Sequence, residues 1–196
     1  HFFLGDRINA STLEGRRVMV VGREHAREIT APPAMLQGDT IFVRRESLKR
    51  MLWEKLEEAQ WRKQDSPMAR AARFYDFEED FDRALDRMTE QETETVLLHE
   101  LGEARAGEHL GKDWEAMLAS MGRSRTELLA RAARDHLADC LVTLPALLER
   151  EAHSSLHLYV ANLSGIRKAI FPELVEGYGR WAGGGSIDAF AKSVEA

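Results

Sequence analysis

Imidazole and carboxylate side chains recur at helical spacing in the second half of this chain: His99 with Glu103, His136 with Asp139, and His153 with His157. Residues three or four apart on a helix point the same way and can reach one common atom. Their nitrogen and oxygen donors suit zinc, manganese or non-haem iron. The six residues are therefore candidate ligands of a transition-metal ion (Fe, Mn or Zn), in a mononuclear or dinuclear site. Six exceeds what tetrahedral zinc takes, so either two metals bind or some of the six orient the ligating imidazoles. Glu100 is the candidate catalytic base, provided that it faces the same cavity. The expected function is that of a metal-binding helical protein, a metal-dependent hydrolase or oxidoreductase, acting on a small-molecule substrate that the sequence does not identify.

A plainer reading stands beside this one. His99 and Glu103 can form an intrahelical ion pair, worth about 0.3 to 0.5 kcal/mol when exposed. His136 can hydrogen-bond a backbone carbonyl in the core, and Asp139 can pair with Arg131, Arg134 or Arg167. The protein is then a non-catalytic binding or interaction protein whose buried polar network is structural. The metal reading gains from three separate helices each placing two ligand-type groups on an inward or border face.

The string His99-Glu100-Leu101-Gly102-Glu103 resembles the zincin motif, in which two histidines four apart bind zinc and the intervening glutamate is the base. It departs where Glu103 replaces the second histidine. A ferritin-like di-iron site wants Glu-x-x-His on each of two helices, whereas the order here is His-x-x-x-Glu and His-x-x-Asp. Asp135-His136 likewise reverses the dipeptide of His-Asp phosphohydrolases. No family is recognised on these residues.

The elements that must position these groups are mostly helical. Residues 1–45 read as a small appendage, a β-hairpin whose strands are Arg17–Gly22 and Thr40–Val43, separated by Thr30-Ala31-Pro32-Pro33 and Gln37-Gly38-Asp39. From Glu46, Leu48, Met51, Leu52 and Leu56 mark one helix face ending near Gln64. Ser66 then caps a helix with Pro67 at its first position, along which Phe74, Phe77, Phe81, Leu85 and Met88 form an apolar stripe. A third segment, Glu92 to Leu110, places Glu92, His99 and Glu103 in one stripe with Val96, Ala106 and Leu110. Ser124, with Glu127 three residues on, starts a helix that runs to Leu144, where Pro145 disturbs it.

Further on, Pro172 opens a segment bearing Leu174, Val175, Tyr178 and Trp181, and Ser186 caps a short helix bearing Ile187, Phe190, Ala191 and Val194. The fold class is thus expected to be all-α or nearly so, a multi-helix bundle over 46–182 carrying the metal site, with the N-terminal hairpin appendage. Residues 183–196 make a triglycine hinge and a C-terminal helix. That amphipathic tail could dock on its own domain, the favoured reading, or on a neighbouring subunit in a homo-oligomer.

With 196 residues, 44% of them hydrophobic, the chain can build a sizeable core. Its 33 acidic against 27 basic side chains argue against a nucleic-acid binder, which must neutralise phosphates. The single cysteine, Cys140, excludes an internal disulfide and suits a cytoplasmic location. No apolar run approaches the roughly 20 residues of a membrane span, so no membrane partner is expected. The opening His1-Phe2-Phe3-Leu4-Gly5 lacks the shape of a secretory signal, and the missing initial methionine suggests a trimmed beginning.

Overall fold

The computed structural model describes residues 2–60 and 65–195. It contains 64% helix and 17% strand, an α/β mix. The expectation of a nearly all-α bundle with a hairpin appendage is therefore corrected: the described strands form a mixed four-stranded sheet of order β1-β2-β4-β3.

Strand β1 (Phe3–Leu13) turns through Glu14 and Gly15, both at positive φ, into β2 (Arg16–Arg27). A two-residue turn with left-handed φ at both central positions matches the twist of antiparallel strands. The short β3 (Ala34–Gln37) pairs antiparallel with β4 (Thr40–Arg44). The two strands expected to form a hairpin instead run parallel, Arg17 opposite Thr40 through to Val21 opposite Arg44. Thr30-Ala31-Pro32-Pro33 is a crossover segment rather than a tight turn, and it carries β3 to the far edge. Val18, Val21, Ile41 and Val43 are all buried, which gives β2 and β4 the apolar faces that central strands need. Strand β1 escapes the sequence reading because Gly5, Asp6, Arg7, Asn9, Ser11 and Thr12 break apolar alternation.

Helix α1 (Arg45–Gln60) follows β4 directly and packs on β2, burying Leu48, Leu52 and Leu56. Its expected end near Gln64 lies outside the described residues. The Ser66 hydroxyl accepts from the Ala69 amide to cap α2 (Pro67–Ala72). That helix stops at Ala72, so the aromatic stripe is not one helix face: Phe74 is exposed in a turn while Tyr75 is buried. Helix α3 (Phe81–Ser120) begins at Phe81 and is interrupted at Gly111, whose φ of 74° no helix accommodates.

The chain divides into two compact units, His1–Glu100 and Leu101–Ala196, with α3 running through the division. In the second unit, Ser124 caps α4 (Arg125–Ala138), which continues as a π-helical turn (Asp139–Thr143) and then α5 (Leu144–Glu149). Pro145 explains the π turn. Proline lacks an amide hydrogen, and its ring collides with the carbonyl four residues back. Widening the preceding turn, so that the Leu144 amide donates to the Asp139 carbonyl, relieves the clash without breaking the helix. Helices α6 (His153–Asn162), α7 (Gly165–Ile170), α8 (Pro172–Ala182) and α9 (Ile187–Val194) complete the unit. Its core joins Leu144 and Leu147 of α5, Leu156 and Val160 of α6, Leu174 of α8 and Phe190 of α9.

Candidate functional site

Where α4 passes into the π turn, His136 and Asp139 both face inward, 6% and 1% exposed. The group they meet is Arg167 of α7. His136 donates from Nε2 to the Arg167 carbonyl at 2.9 Å, which leaves Nδ1 to accept from the Arg167 guanidinium at 3.4 Å. The same guanidinium nitrogen forms an ion pair with Asp139 and donates to the Tyr159 hydroxyl of α6 at 3.1 Å. The guanidinium also lies 5.8 Å from the centre of the Tyr159 ring. The Phe171 ring closes on His136 edge-on, with centroids 5.3 Å apart.

The electrostatics follow from this packing. Burial, reinforced by the positive charge of Arg167, holds the His136 imidazole below its ordinary pKa and keeps it neutral, although its hydrogen bond to the Arg167 carbonyl and nearby Asp139 and Asp135 pull the other way. Burial and the Asp139 carboxylate push the Cys140 thiol up to about 11 and raise the Tyr159 phenol as well. Burial acts against the Arg167 charge, but Asp139, Tyr159 and Asp135 together more than restore it.

Close backbone packing sets the neighbouring pair. A Cβ added at Gly102 would lie 2.4 Å from the Ala138 carbonyl oxygen, so only glycine lets α3 approach α4 this closely. Across that contact Arg134 donates to Glu103 at 3.2 Å and lies 3.7 Å from Asp135. Glu103 thus has an interhelical partner in Arg134. His99, half-buried, and Glu100, 8% exposed, belong to the first unit.

His153 and His157 sit one turn apart on α6 as their spacing predicts, but against aromatic rings. Trp181 stacks on His157 (4.6 Å, 14°) on one side and on Phe190 of α9 (5.7 Å, 3°) on the other. His153 meets Trp181 edge-on at 5.5 Å, and the Tyr178 hydroxyl shares a hydrogen bond of 3.0 Å with His157 Nδ1. Phe190 is fully buried, so the C-terminal helix docks on its own unit through this sandwich.

Among the described residues no three His, Cys, Asp or Glu side chains are grouped so that they could hold a metal ion. Three of the six candidate ligands, Glu103, His136 and Asp139, face arginines. A guanidinium needs the same lone pairs that a cation would take, so these donors are already engaged. The residues that complete the cluster, Arg167 and Tyr159, carried one signal in the sequence: a buried Asp139 requires a cationic partner.

The model of the C-terminal domain of a family of unknown function, DUF6866, matches residues 49–196, and that of its N-terminal domain matches residues 1–44. The chain belongs to the DUF6866 family. No curated protein matches it. No solved structure matches it either. The two DUF6866 matches flank the β4–α1 junction, and a buried ion pair lies at the end of the first of them. Arg44, 1% exposed, donates to both carboxylate oxygens of Glu24 at 3.2 and 2.5 Å. Ser47 of α1 donates to the same carboxylate at 2.7 Å. Burial works against the Glu24 charge, yet these hydrogen bonds hold its carboxyl below the usual range. One side chain of β2 thus ties the N-terminal DUF6866 domain to the first turn of α1.

Proposed function

We propose that this protein is a non-catalytic binding or interaction protein whose buried His, Asp, Tyr and Arg side chains form a structural network, acting in the cytoplasm. The observation that carries the reading is the placement of the Arg167 guanidinium among His136, Asp139 and Tyr159. Both imidazole nitrogens of His136 are engaged by a single residue, and the Asp139 carboxylate is paired with that same residue. A Cys140 thiol with a pKa of about 11 and a Tyr159 phenol raised further are poor proton donors at neutral pH. A cluster in this condition supports positioning of helices rather than proton transfer or metal ligation. The single cysteine supports a reducing compartment.

Elemental analysis of protein purified without a metal-affinity tag, followed by thermal melts with and without chelator, tests this. The expected result is no stoichiometric iron, manganese or zinc and superimposable melts. Near-stoichiometric metal with a chelator-sensitive melting temperature would return the His and carboxylate set to ligand duty and overturn the proposal.

A further inference from the structure

Helix α7 is anchored unusually. Among the described residues of α7 none is buried, and Ile170 is 37% exposed. A six-residue helix is too short to persist alone, so something outside it must hold it. Its flanks are pinned to the apolar core by Leu163, 5% exposed, and Phe171, while the Ser164 hydroxyl accepts from the Arg167 amide and Pro172 starts the next helix, so the helix can turn only about these two points. What reaches inward is Arg167, whose side chain is 16% exposed and whose carbonyl and guanidinium supply the polar contacts to His136, Asp139 and Tyr159. Those three side chains come from α4, the π turn and α6 and are at least nine-tenths buried. Arg167 therefore fills a polar recess lined by the other helices, and its Nε has no hydrogen-bond partner among the described residues.

We propose that α7 is a lid fastened by Arg167, and that the recess of Asp139, Tyr159 and His136 beneath it is a binding site for a guanidinium group, which Arg167 occupies in the closed state. The donor chemistry selects the class. A carboxylate and a phenol oxygen accept from a cation, and the Tyr159 face lies against the planar guanidinium. An arginine side chain of a partner, or a small guanidine, would take the same place when α7 swings out. The inference rests on reading the cluster as metal-free and fails separately from it: bound metal would end that reading, whereas amide exchange reports the lid.

In wild-type protein, native-state hydrogen exchange should show the Ala169 and Ile170 amides exchanging through a local opening that is insensitive to low denaturant, while α4 and α6 exchange only through larger openings. In Arg167→Ala, α7 protection should vanish while α4, α6 and α8 stay protected. Methylguanidinium chloride, compared with equal sodium chloride, should raise the melting temperature of Arg167→Ala but not that of wild type, and should leave α7 unprotected because the free ion does not carry the helix with it. Three results would overturn the proposal: α7 exchanging in step with α4 and α6 in wild type, α7 keeping its protection in the variant, or no methylguanidinium shift. The wild-type exchange decides the matter if the variant does not fold.

Discussion

Arg167 and Asp139, 28 positions apart in the chain, form an ion pair in which the carboxylate is almost wholly buried and the guanidinium comes from a helix none of whose described residues is buried. Asp139 is the first residue of the π turn but keeps helical φ and ψ, with its amide bonded to the Asp135 carbonyl, so its carboxylate leaves from the end of α4 one turn after His136.

Removing the carboxylate should cost less than a sealed ion pair does. Breaking a fully enclosed pair costs about 3 to 5 kcal/mol because a bare charge stays buried. Here Arg167 can move out with α7 and regain water, so Asp139→Ala is expected to cost about 2 kcal/mol. Asp139→Leu combined with Arg167→Met should be less destabilised than Asp139→Leu alone. Urea midpoints of the three variants check both statements.

Gly102→Ala should destabilise in spite of its better helix propensity. Alanine in place of glycine gains about 1 kcal/mol in an open helix, but its methyl would meet the Ala138 carbonyl at 2.4 Å. Backbone must then move, at about 1 to 3 kcal/mol or more. A net loss of stability is expected. Gly107→Ala on the same helix, where no atom lies within 4 Å, should be neutral or stabilising, and the pair of melts forms the control.

Acid should weaken the second unit through His136. Its folded pKa lies below the ordinary 6.5, so as pH falls through that value the unfolded chain takes up a proton that the folded one resists. Stability contributed by the neutral imidazole is therefore present above pH 6.5 and declines as pH falls from there toward the folded value. His136→Gln should show a shallower loss between neutral and mildly acid pH. Denaturant titrations at a series of pH values settle it, and equal slopes in the two proteins would contradict the assignment.

Phe190→Ala should loosen the C-terminal helix. The ring is fully buried and stacked on Trp181, so truncation is expected to cost about 3 to 5 kcal/mol. Loss of the sandwich should also change Trp181 emission. An unchanged melting temperature would show that α9 contributes little to the core.

Local signals were legible in the sequence. Ser66, Ser124 and Ser186 cap the helices that their position before apolar periodicity predicts, because a cap is made with amides two or three residues away. His153 and His157 share a helix face for the same reason of short range. Partners were legible as sets of alternatives: a backbone carbonyl for His136, and Arg131, Arg134 or Arg167 for Asp139. That Arg134 instead meets Glu103 depends on Gly102 letting two backbones close together, a fact about tertiary approach. The parallel pairing of β2 with β4 depends on a crossover and on β3 filling the edge, neither written in the apolar alternation of the two strands. By itself the sequence determined where the helices capped by Ser66, Ser124 and Ser186 begin and that a buried Asp139 needs a cationic partner, whereas the start of α3 at Phe81 escaped it. Only the tertiary structure decided that the partner of Asp139 is Arg167, since many arginines satisfy the charge and only packing chooses the one that arrives.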